Sequence, residues 1–497
     1  MKNALAVFLA IQGLYSNLAA QTSTVPNLWP IDDVRFDGLC RSIQVRLDQS
    51  ISNTKIAGAT VGFVLSDGRS FSASSGVSNI ESKRRLLPTD PILAGSIGKT
   101  FVSALALQLV QEGRLSLNEK IEHWLGTKAW FPRLPNGQDI TVRMLMNHSS
   151  GIPNHVEGKS FEKAALKNAR NDIAFDDLLT FILDKKPLFA AGKGYYYADT
   201  NYILLAMITE RITGRTMYDE VIDRFLKPLK LDHTFPSDKN VEPAVYGYYE
   251  NKPDVKDRHL IINPQWEWAG GGFTSTAEDL ARWAKNLYAG TVLQKSSLEE
   301  MLNGVSVGEG QNYGLGVEII HSKWGTSYGH DGEFPGYLSV MRYYPKYGLA
   351  VAAQINADGT NETQGFIDSA ADDFAGIIIQ ELSGKKLSEA EKLDRQNTVE
   401  SWLKLVDLGK YSESWDGLSA ELKAKYSRKA WSAALDPFLK KTGKFRKRQL
   451  KSVVYSEPDV IAVDFDSVFS KLPVATETVF LKLESDDKWR VSSYSIN

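Results

Sequence analysis

The sequence has little cysteine, no excess of charge of either sign and, after its first residues, no long apolar run. Its single cysteine, Cys40, cannot form a disulfide within the 497-residue chain, and we interpret it as a small residue on an amphipathic helix. A formal net charge of −2 excludes the basic field that polyphosphate or anionic membrane partners require, so we expect no nucleic-acid partner. No later stretch is long and apolar enough to span a bilayer.

The first twenty residues form a short cationic end followed by an apolar run. Small residues, Leu18-Ala19-Ala20, then stand before Gln21. This pattern is typical of a signal peptide cleaved near Ala20, so we assign 1–20 to a signal peptide and expect a periplasmic or secreted protein without a transmembrane anchor. The alternative, a first helix of the fold, would normally show a polar face with a period of 3.6 residues.

The distribution of periodic segments predicts the fold class. Strand patterns occur at 60–65 and again between 313 and 355, whereas helical patterns dominate between 96 and 210. Strands at both ends with helices between them favour an α/β (α+β) class, with one antiparallel sheet flanked by helices and a mostly helical subdomain. A polar break at 383–386 predicts a domain boundary near residue 386. We therefore expect a main domain at 27–385 and a small α+β domain at 392–497.

A nucleophilic serine needs a partner for its proton, and the pattern S-x-x-K places a lysine on the same face of a helix. Only Ser96 stands at the head of a long apolar helix, where small neighbours let a substrate approach and the helix N-terminus favours a developing oxyanion. We therefore predict Ser96 as the nucleophile, with Lys99 beside it. The five other matches fall in turns, a cap, the linker or a solvated helix face, and they start at Ser52, Ser160, Ser383, Ser401 and Ser485.

Two further motifs have simpler interpretations. The G-x-S-x-G pattern at 304–308 follows a helix and precedes a strand, whereas a nucleophile elbow requires strand, turn and then helix. The K-T-G match at 441–443 lies among basic residues, and we interpret it as a solvated turn. The basic run around 440–451 is interpreted as a solvated face rather than a site for an anionic partner.

Several motifs, taken in order, resemble the superfamily of class C β-lactamases and D-alanyl-D-alanine peptidases. They are G-S-I-G-K at 95–99, I-T-V-R-M-L-M-N-H-S-S-G-I-P at 140–153, Y-A-D-T-N-Y at 197–202, A-G-G-G-F-T-S-T-A-E-D-L at 269–280 and G-H-D-G at 329–332. The resemblance covers about 34–382 in the family's own order, and it implies a bacterial protein with the β-lactamase/transpeptidase-like fold. The segment from 399 to the C-terminus resembles a small bacterial domain of unknown function.

The resemblance also implies roles for individual residues. Ser96 would be acylated, Lys99 and Tyr197 would activate it, and His330 would lie on the strand that lines the cleft. The oxyanion hole would be formed by the backbone N–H groups of Ser96 and Glu333, with Gly332 on the same strand. We expect no cofactor. The histidines show no ligand spacing, so we also expect no metal and interpret His148 and His155 as structural. Trp266 and Trp268 fit core or rim packing at least as well as the cleft.

Asp199 departs from the family, which usually has Asn two residues after the tyrosine. An ionised Asp199 accepts hydrogen bonds but cannot donate one to a substrate carbonyl. It also favours the charged form of Lys99, which makes Lys99 a weaker base. This shifts the expected proton acceptor toward Tyr197, with Lys99 as the cation that lowers the pKa of Tyr197, although the choice between the two bases stays open.

Asp331 is the second departure, at a position where Thr commonly helps to hold a substrate carboxylate. Its neighbour His330 is mostly neutral at its ordinary pKa. A substrate carboxylate would be poorly bound at this position, so we expect weak turnover of β-lactams relative to small esters. Asp331 as a turn residue that points away from the cleft is an equally good interpretation.

These observations predict an exported serine hydrolase that acts through an acyl-enzyme on Ser96. The expected substrate is a small molecule or peptide, with the cell wall as one source, and specifically an ester, an amide or a D-amino-acid peptide. One alternative is a D-alanyl-D-alanine carboxypeptidase or β-lactamase. Another is a protein that keeps the fold but has lost turnover and binds a cell-envelope ligand.

Overall fold

The computed structural model describes residues 31–167, 173–308, 311–383, 387–457 and 459–496. The predicted signal peptide at 1–20 lies outside the described residues, as do residues 384–386 of the predicted linker. The chain divides into two compact units, one formed by Trp29–Val307 with Gln311–Ile378 and the other mainly by Ile379–Asn497.

The first unit is built on a sheet to which the described residues contribute nine strands, in the order β4-β5-β6-β7-β8-β9-β1-β2-β3. An early strand and a late strand of the chain meet inside this sheet, because β1 pairs antiparallel with β9, with Ala59 opposite Ile355. This confirms the predicted antiparallel sheet shared by early and late strands. The strands are β1 (Gly58–Val64), β2 (Ser70–Asn79), β3 (Arg84–Arg85), β4 (Val305–Gly308), β5 (Gln311–Tyr313), β6 (Glu318–Ser322), β7 (Gly325–Phe334), β8 (Tyr337–Tyr344) and β9 (Leu349–Ile355).

Helices pack against this sheet and also form the mostly helical region between β3 and β4. The helix that follows Ser96, Gly98–Gln111, is buried along nearly its whole length. Its Phe101 ring stacks on Trp283, with 4.2 Å between the ring centroids. The helices of this unit are Asp33–Ile51, Gly98–Gln111, Glu122–Leu125, Val142–Met146, Lys159–Lys167, Phe175–Leu179, Thr200–Thr213, Met217–Val221, Lys227–Leu229, Ala277–Tyr288, Lys295–Met301 and Asn361–Ser383.

Several short strands complete the first unit. Phe273–Ser275 pairs with both Ile92–Leu93 and Phe235–Pro236, which ties the chain just before Ser96 to a distant segment. Two small hairpins join Tyr248–Tyr249 to Lys252–Pro253 and Val255–Lys256 to His259–Leu260. None of the helices in the described ranges combines the length and apolar character needed to cross a membrane.

The second unit is a four-stranded antiparallel sheet with helices, and its core includes Trp402, Trp431 and Phe465. Its helices are Glu389–Asp407, Tyr411–Ser414, Ala420–Lys425 and Arg428–Thr442, and its strands, in sheet order, are β10 (Phe445–Glu457), β11 (Val460–Phe469), β12 (Ala475–Leu483) and β13 (Trp489–Ile496).

One prediction for the second unit is wrong. The K-T-G match is the end of a helix rather than a solvated turn, because Thr442 is buried and Gly443 terminates the helix with φ of 82°. The basic run around 440–451 is largely a solvated face, as predicted, with one exception. The side chain of Arg448 is mostly covered between Asp407 and Glu477, at 2.8 and 2.9 Å. A strand alternates its faces, so part of a basic run on β10 must point inward.

Candidate active site

Ser96 lies in a single 3-10 turn, Gly95–Ile97, that leads directly into the buried helix Gly98–Gln111. Gly95 has a φ of +54°, and a Cβ added there would lie 2.5 Å from the backbone nitrogen of Glu333, so the turn requires glycine. The preceding residue, Ala94, is fixed on both sides: its N–H donates to Phe273 at 2.9 Å, and its carbonyl accepts from Ser339 Oγ at 2.7 Å. The residue before the nucleophile is therefore held by hydrogen bonds from two sheets.

Lys99 is fully buried and surrounded by three acceptors. Its Nζ lies 2.9 Å from Ser96 Oγ, 2.5 Å from the Gly270 carbonyl oxygen and 2.5 Å from Asp199 Oδ1. An ammonium group has three N–H donors. Two of them have hydrogen-bond partners in Ser96 and Gly270, and Asp199 forms an ion pair with Lys99. Lys99 is therefore arranged as a donor to Ser96.

The glycines 270–272 pass through a space that leaves little or no room for a side chain. A Cβ on Gly270 would lie 3.1 Å from Asp199 Cβ, and one on Gly271 would lie 2.7 Å from the carbonyl carbon of Gly95. A Cβ on Gly272 would collide with the Trp268 carbonyl oxygen. This close approach is what brings the Gly270 carbonyl to Lys99.

Tyr197 packs against Lys99, with the Lys99 Nζ 4.7 Å from the centre of the phenol ring. Burial raises the pKa of Tyr197 well above its ordinary value, and Asp199 raises it further, while the nearby Ser96 hydroxyl opposes this. The expectation that Tyr197 has a lowered pKa is therefore wrong. Its hydroxyl is buried in an apolar setting beside an anion, so Tyr197 is a neutral phenol at rest.

His148 belongs to the site, although its sequence context indicated only a structural role. Its ring lies 4.2 Å from the ring of Tyr197, and its Nδ1 accepts from the Ala198 N–H at 3.2 Å and from Asn201 Nδ2 at 3.1 Å. Burial, with a smaller contribution from Lys99, places the pKa of His148 well below its ordinary value. His148 is therefore neutral and positions the Tyr197 segment. Its φ of 58° is rare for a residue other than glycine, and no sequence pattern indicated it.

The strand β7 extends beyond its neighbour β6. Pairing with β6 ends at Gly329 opposite Glu318, whereas pairing with β8 continues to Phe334. Residues 330–334 are therefore paired on one side, and the backbone of Glu333 lies against Gly95. A Cβ on Gly332 would collide with the Ala94 carbonyl oxygen, so glycine is required there too. The structure thus brings Gly332 and Glu333 together with Ser96, as the resemblance implied.

His330 is a neutral, buried member of this strand. Its Nδ1 donates to the Asp331 carbonyl at 2.6 Å, which leaves Nε2 to accept from the Tyr313 hydroxyl at 2.8 Å. Burial, assisted by the charge on Lys99, lowers the pKa of His330 to about 3. Tyr313, which no sequence motif indicated, also lies against the Tyr197 ring, with 5.9 Å between centroids.

Asp331 points to a buried cation on the neighbouring strand instead of acting as a free anion of the cleft. Arg342 Nη2 lies 2.6 Å from Asp331 Oδ1 and 2.8 Å from Glu318 Oε2. Burial raises the pKa of Asp331 to about 6, against the opposing effect of Arg342. Asp331 is therefore not a free anion in the cleft, and the interpretation that it points away from the cleft is the better one.

Trp266 and Trp268 are core residues. Their exposed fractions are 4% and 1%, and the Trp268 ring stacks on Phe175 at a centroid distance of 3.7 Å. His155 is buried beside them and lies 3.3 Å from the Trp266 carbonyl oxygen. These residues support the segment that continues into the glycines 270–272.

The fold and this set of residues are of the β-lactamase/transpeptidase type. The family model described as Beta-lactamase matches residues 43–375, so the chain belongs to that family. A second model, described as a protein of unknown function (DUF4019), matches residues 398–494 and confirms the resemblance seen for the C-terminal segment.

Curated relatives and solved structures agree with this placement. Penicillin-binding protein 4* of Bacillus subtilis is 26% identical over 287 residues, which are 54% of this chain and 62% of that protein. Protein flp of Staphylococcus aureus is 24% identical over 337 residues, 64% of each chain. The chain thus spans less than two thirds of either relative.

A D-stereospecific amidohydrolase from a Streptomyces species superposes with a TM-score of 0.59 at 26% identity, over 70% of this chain and 99% of that one. The D-amino acid amidase of Ochrobactrum anthropi, complexed with D-phenylalanine, has a TM-score of 0.60 at 21% identity, over 70% of this chain and all of that one, and it supports the fold alone.

Proposed function

We propose that this protein hydrolyses an ester, an amide or a D-amino-acid peptide through an acyl-enzyme on Ser96. The observation that carries the proposal is the contact of 2.9 Å between Lys99 Nζ and Ser96 Oγ, on a partly exposed serine beside a strand segment that is paired on one side. A serine hydroxyl next to a fixed cation and backbone donors is the arrangement that acyl transfer needs.

In the proposed acylation, Ser96 Oγ attacks the substrate carbonyl carbon. The negative charge that develops on the carbonyl oxygen is stabilised by the N–H groups of Ser96 and Glu333, and the Lys99 ammonium stabilises charge that develops on Ser96 Oγ. Water then attacks the acyl-enzyme and releases the acid. Asp199 holds Lys99 in place through their contact of 2.5 Å.

The proton of Ser96 needs an acceptor, and neither neighbour is a free base at rest. Tyr197 is a neutral phenol with a raised pKa, and Lys99 is saturated with acceptors. We therefore propose that the Tyr197 hydroxyl acts as a relay, receiving the Ser96 proton while its own proton passes to the leaving group. Tyr197 then never carries a full negative charge, and its raised pKa is no obstacle.

A serine-reactive fluorophosphonate is expected to label Ser96, because the attack that forms the acyl-enzyme also displaces fluoride from phosphorus. Mass spectrometry of tryptic peptides locates the adduct. The variant Ser96→Ala should take up no label. Ser401→Ala is the matched control, because Ser401 heads another S-x-x-K pattern in the exposed part of a helix, and it should be labelled like the natural protein. An adduct at another residue, or none, would refute the proposal.

The relatives support only part of the proposed substrate class. The names of penicillin-binding protein 4* and of the D-stereospecific amidohydrolase belong to those proteins, and they support amides and D-amino-acid peptides as candidates here. We further propose that the protein is exported to the periplasm or medium of a bacterium, because residues 1–20 have the pattern of a signal peptide. Export would place it close to peptides derived from the cell wall.

Benzylpenicillin is expected to be a poor substrate, with kcat/KM at least about tenfold below that of a small uncharged ester such as p-nitrophenyl acetate. The reason lies in the charges around the site. His330 is neutral, and the cations Lys99 and Arg342 already pair with Asp199 and Asp331. A penicillin carboxylate therefore finds no unpaired cation among these groups. Spectrophotometric hydrolysis rates test this, and equal values for both substrates would contradict it.

A further inference from the structure

A pocket of about 500 Å³ lies within the first unit, lined by residues other than Ser96. Asn147 and Ser149, which follow the helix Val142–Met146, line it together with Val305 and Ser306 of β4. The strand β4 is outermost in the sheet, so one of its edges has no strand partner among the described residues. The pocket therefore lies where the helical region meets a sheet edge, and its volume is ordinary for a ligand site.

Two chain segments contribute to both the pocket and the candidate active site. Asn147 and Ser149 line the pocket, whereas His148 between them is fully buried and contacts the ring of Tyr197. Tyr195, two residues before Tyr197, also lines the pocket, and its ring lies 6.2 Å from the ring of His148. The two spaces are thus neighbours, but no residue of the proposed mechanism lines the pocket.

Asn147 presents an unused hydrogen-bond donor to the pocket. The residue is only 8% exposed, and its Oδ1 accepts from the Ser149 N–H at 3.2 Å and from Ser149 Oγ at 2.6 Å. Its Nδ2 forms no hydrogen bond among the described residues, yet this nitrogen keeps contact with solvent. Because the Ser149 hydroxyl donates its proton to Asn147, Ser149 Oγ offers only acceptor lone pairs to a ligand. A fixed donor and a fixed acceptor therefore lie side by side.

Arg143 provides a second unused donor and the neighbouring residues provide apolar surface. Its Nη1 lies 2.7 Å from Glu300 Oε2, and its Nε lies 3.1 Å from Asn118 Oδ1. Its Nη2 has no partner in the described part of the chain. Met144 and Val305 line the same pocket. The lining thus combines donors that lack acceptors with apolar side chains, as ligand sites commonly do.

We propose that this pocket binds an extended peptide segment. A residue in an extended chain presents its N–H and its C=O on the same edge, so the C=O accepts from Asn147 Nδ2 while the N–H donates to Ser149 Oγ. A further carbonyl of the peptide accepts from Arg143 Nη2. The outer edge of β4 can add backbone hydrogen bonds, as sheet edges do when they receive a peptide strand. Apolar side chains of the peptide then contact Met144.

Other classes of ligand fit this lining less well. A carboxylate or phosphate accepts from Asn147 but has no donor for Ser149 Oγ, and Glu300 already pairs with the charge of Arg143. A hydrocarbon would cover Asn147 Nδ2 without giving it an acceptor, which is unfavourable. The inference goes beyond the proposed function and does not depend on it, because Ser96 takes no part in this pocket.

Capped tripeptides of alanine, a variable residue and alanine test the inference, with valine, leucine or phenylalanine in the middle, an N-terminal acetyl group and a C-terminal dimethylamide. The full chain with Ser96→Ala prevents hydrolysis, and ¹³C-labelled methionine methyl groups make Met144 a reporter in the pocket. We expect saturable shifts of the Met144 signal at up to about 10 mM peptide. Met341, fully buried on β8, should not respond. Counterparts methylated on every backbone nitrogen should bind at least about tenfold more weakly, since they cannot donate to Ser149.

Asn147→Asp, added to this protein, is the decisive variant. It keeps an oxygen that accepts from Ser149 but replaces the Nδ2 donor by an acceptor, so peptide binding should weaken by at least about tenfold. Asn397→Asp makes the same change at an exposed position of the helix Glu389–Asp407 and should leave binding unaltered.

Three results would overturn the inference: no shift of Met144 with any of the peptides, equal binding of the methylated counterparts, or undiminished binding in Asn147→Asp. Should Asn147→Asp misfold, the methylated counterparts still decide, because they need no variant of the pocket. Labelling of Ser96 by the phosphonate tests the proposed function separately, so either proposal can fail while the other stands.

Discussion

Replacing Lys99 by methionine is expected to lower the rate of Ser96 acylation by about a thousandfold, the effect of removing one preorganised charge from a reaction centre. Methionine keeps much of the length of the side chain, so the buried helix should persist while Ser96 Oγ loses its donor at 2.9 Å. Stopped-flow measurement with an activated ester gives the rate, and the unfolding midpoint verifies the fold.

Lys404→Met is the matched control for this experiment. Lys404 completes the S-x-x-K pattern of Ser401, but it lies exposed on the helix Glu389–Asp407. Its replacement should leave acylation unchanged. An acylation rate in Lys99→Met within tenfold of the natural protein would mean that Lys99 is only a structural cation.

Asp199→Asn is expected to destabilise the protein by about 3 kcal/mol at pH 7, because a fully buried Lys99 loses the anion that compensates it. Burial alone would raise the pKa of Asp199, but Lys99 outweighs burial and the net pKa lies below its ordinary value of 3.8. The stabilisation by Asp199 is therefore complete above about pH 4 and is lost as the pH falls through the pKa of the folded state. Below that pKa the natural protein and the variant should converge.

Urea denaturation followed by tryptophan fluorescence measures this difference across pH. Asp139→Asn is a suitable control, because Asp139 is exposed and only loosely paired with Lys120 at 3.8 Å, so its replacement should change stability by less than about 0.5 kcal/mol. A destabilisation by Asp199→Asn that continues unchanged to pH 3 would contradict the assignment to this ion pair.

The sequence identified the residues whose contacts are local. Ser96 and Lys99 meet because positions three apart share a helix face, and the apolar residues after them predict a buried helix. Tyr197 and His330 came from the resemblance, since nothing in their local sequence indicates that they meet. The antiparallel sheet was predictable because strand patterns occur on both sides of the helical region.

Long-range partners could not be predicted. Asp331 is neutralised by Arg342, and that pairing depends on the register in which Gly329 lies opposite Arg342. The direction of the Tyr197 pKa depends on burial, which a motif does not describe. His148 received a structural interpretation because its contact with Tyr197 joins residues almost fifty positions apart.

The glycines 270–272 show that a position can be intolerant of substitution without taking part in the chemistry of the site. A Cβ on Gly271 or Gly272 would collide with backbone, and one on Gly270 would press against the Asp199 side chain, yet none of the three has a functional group. A random-mutagenesis screen for lost activity should therefore recover these three positions as readily as the reacting ones. At these positions, intolerance to replacement would reflect the lack of space around the backbone. A map of mutational effects on this protein must therefore be compared with its interatomic distances before any residue is assigned a chemical role.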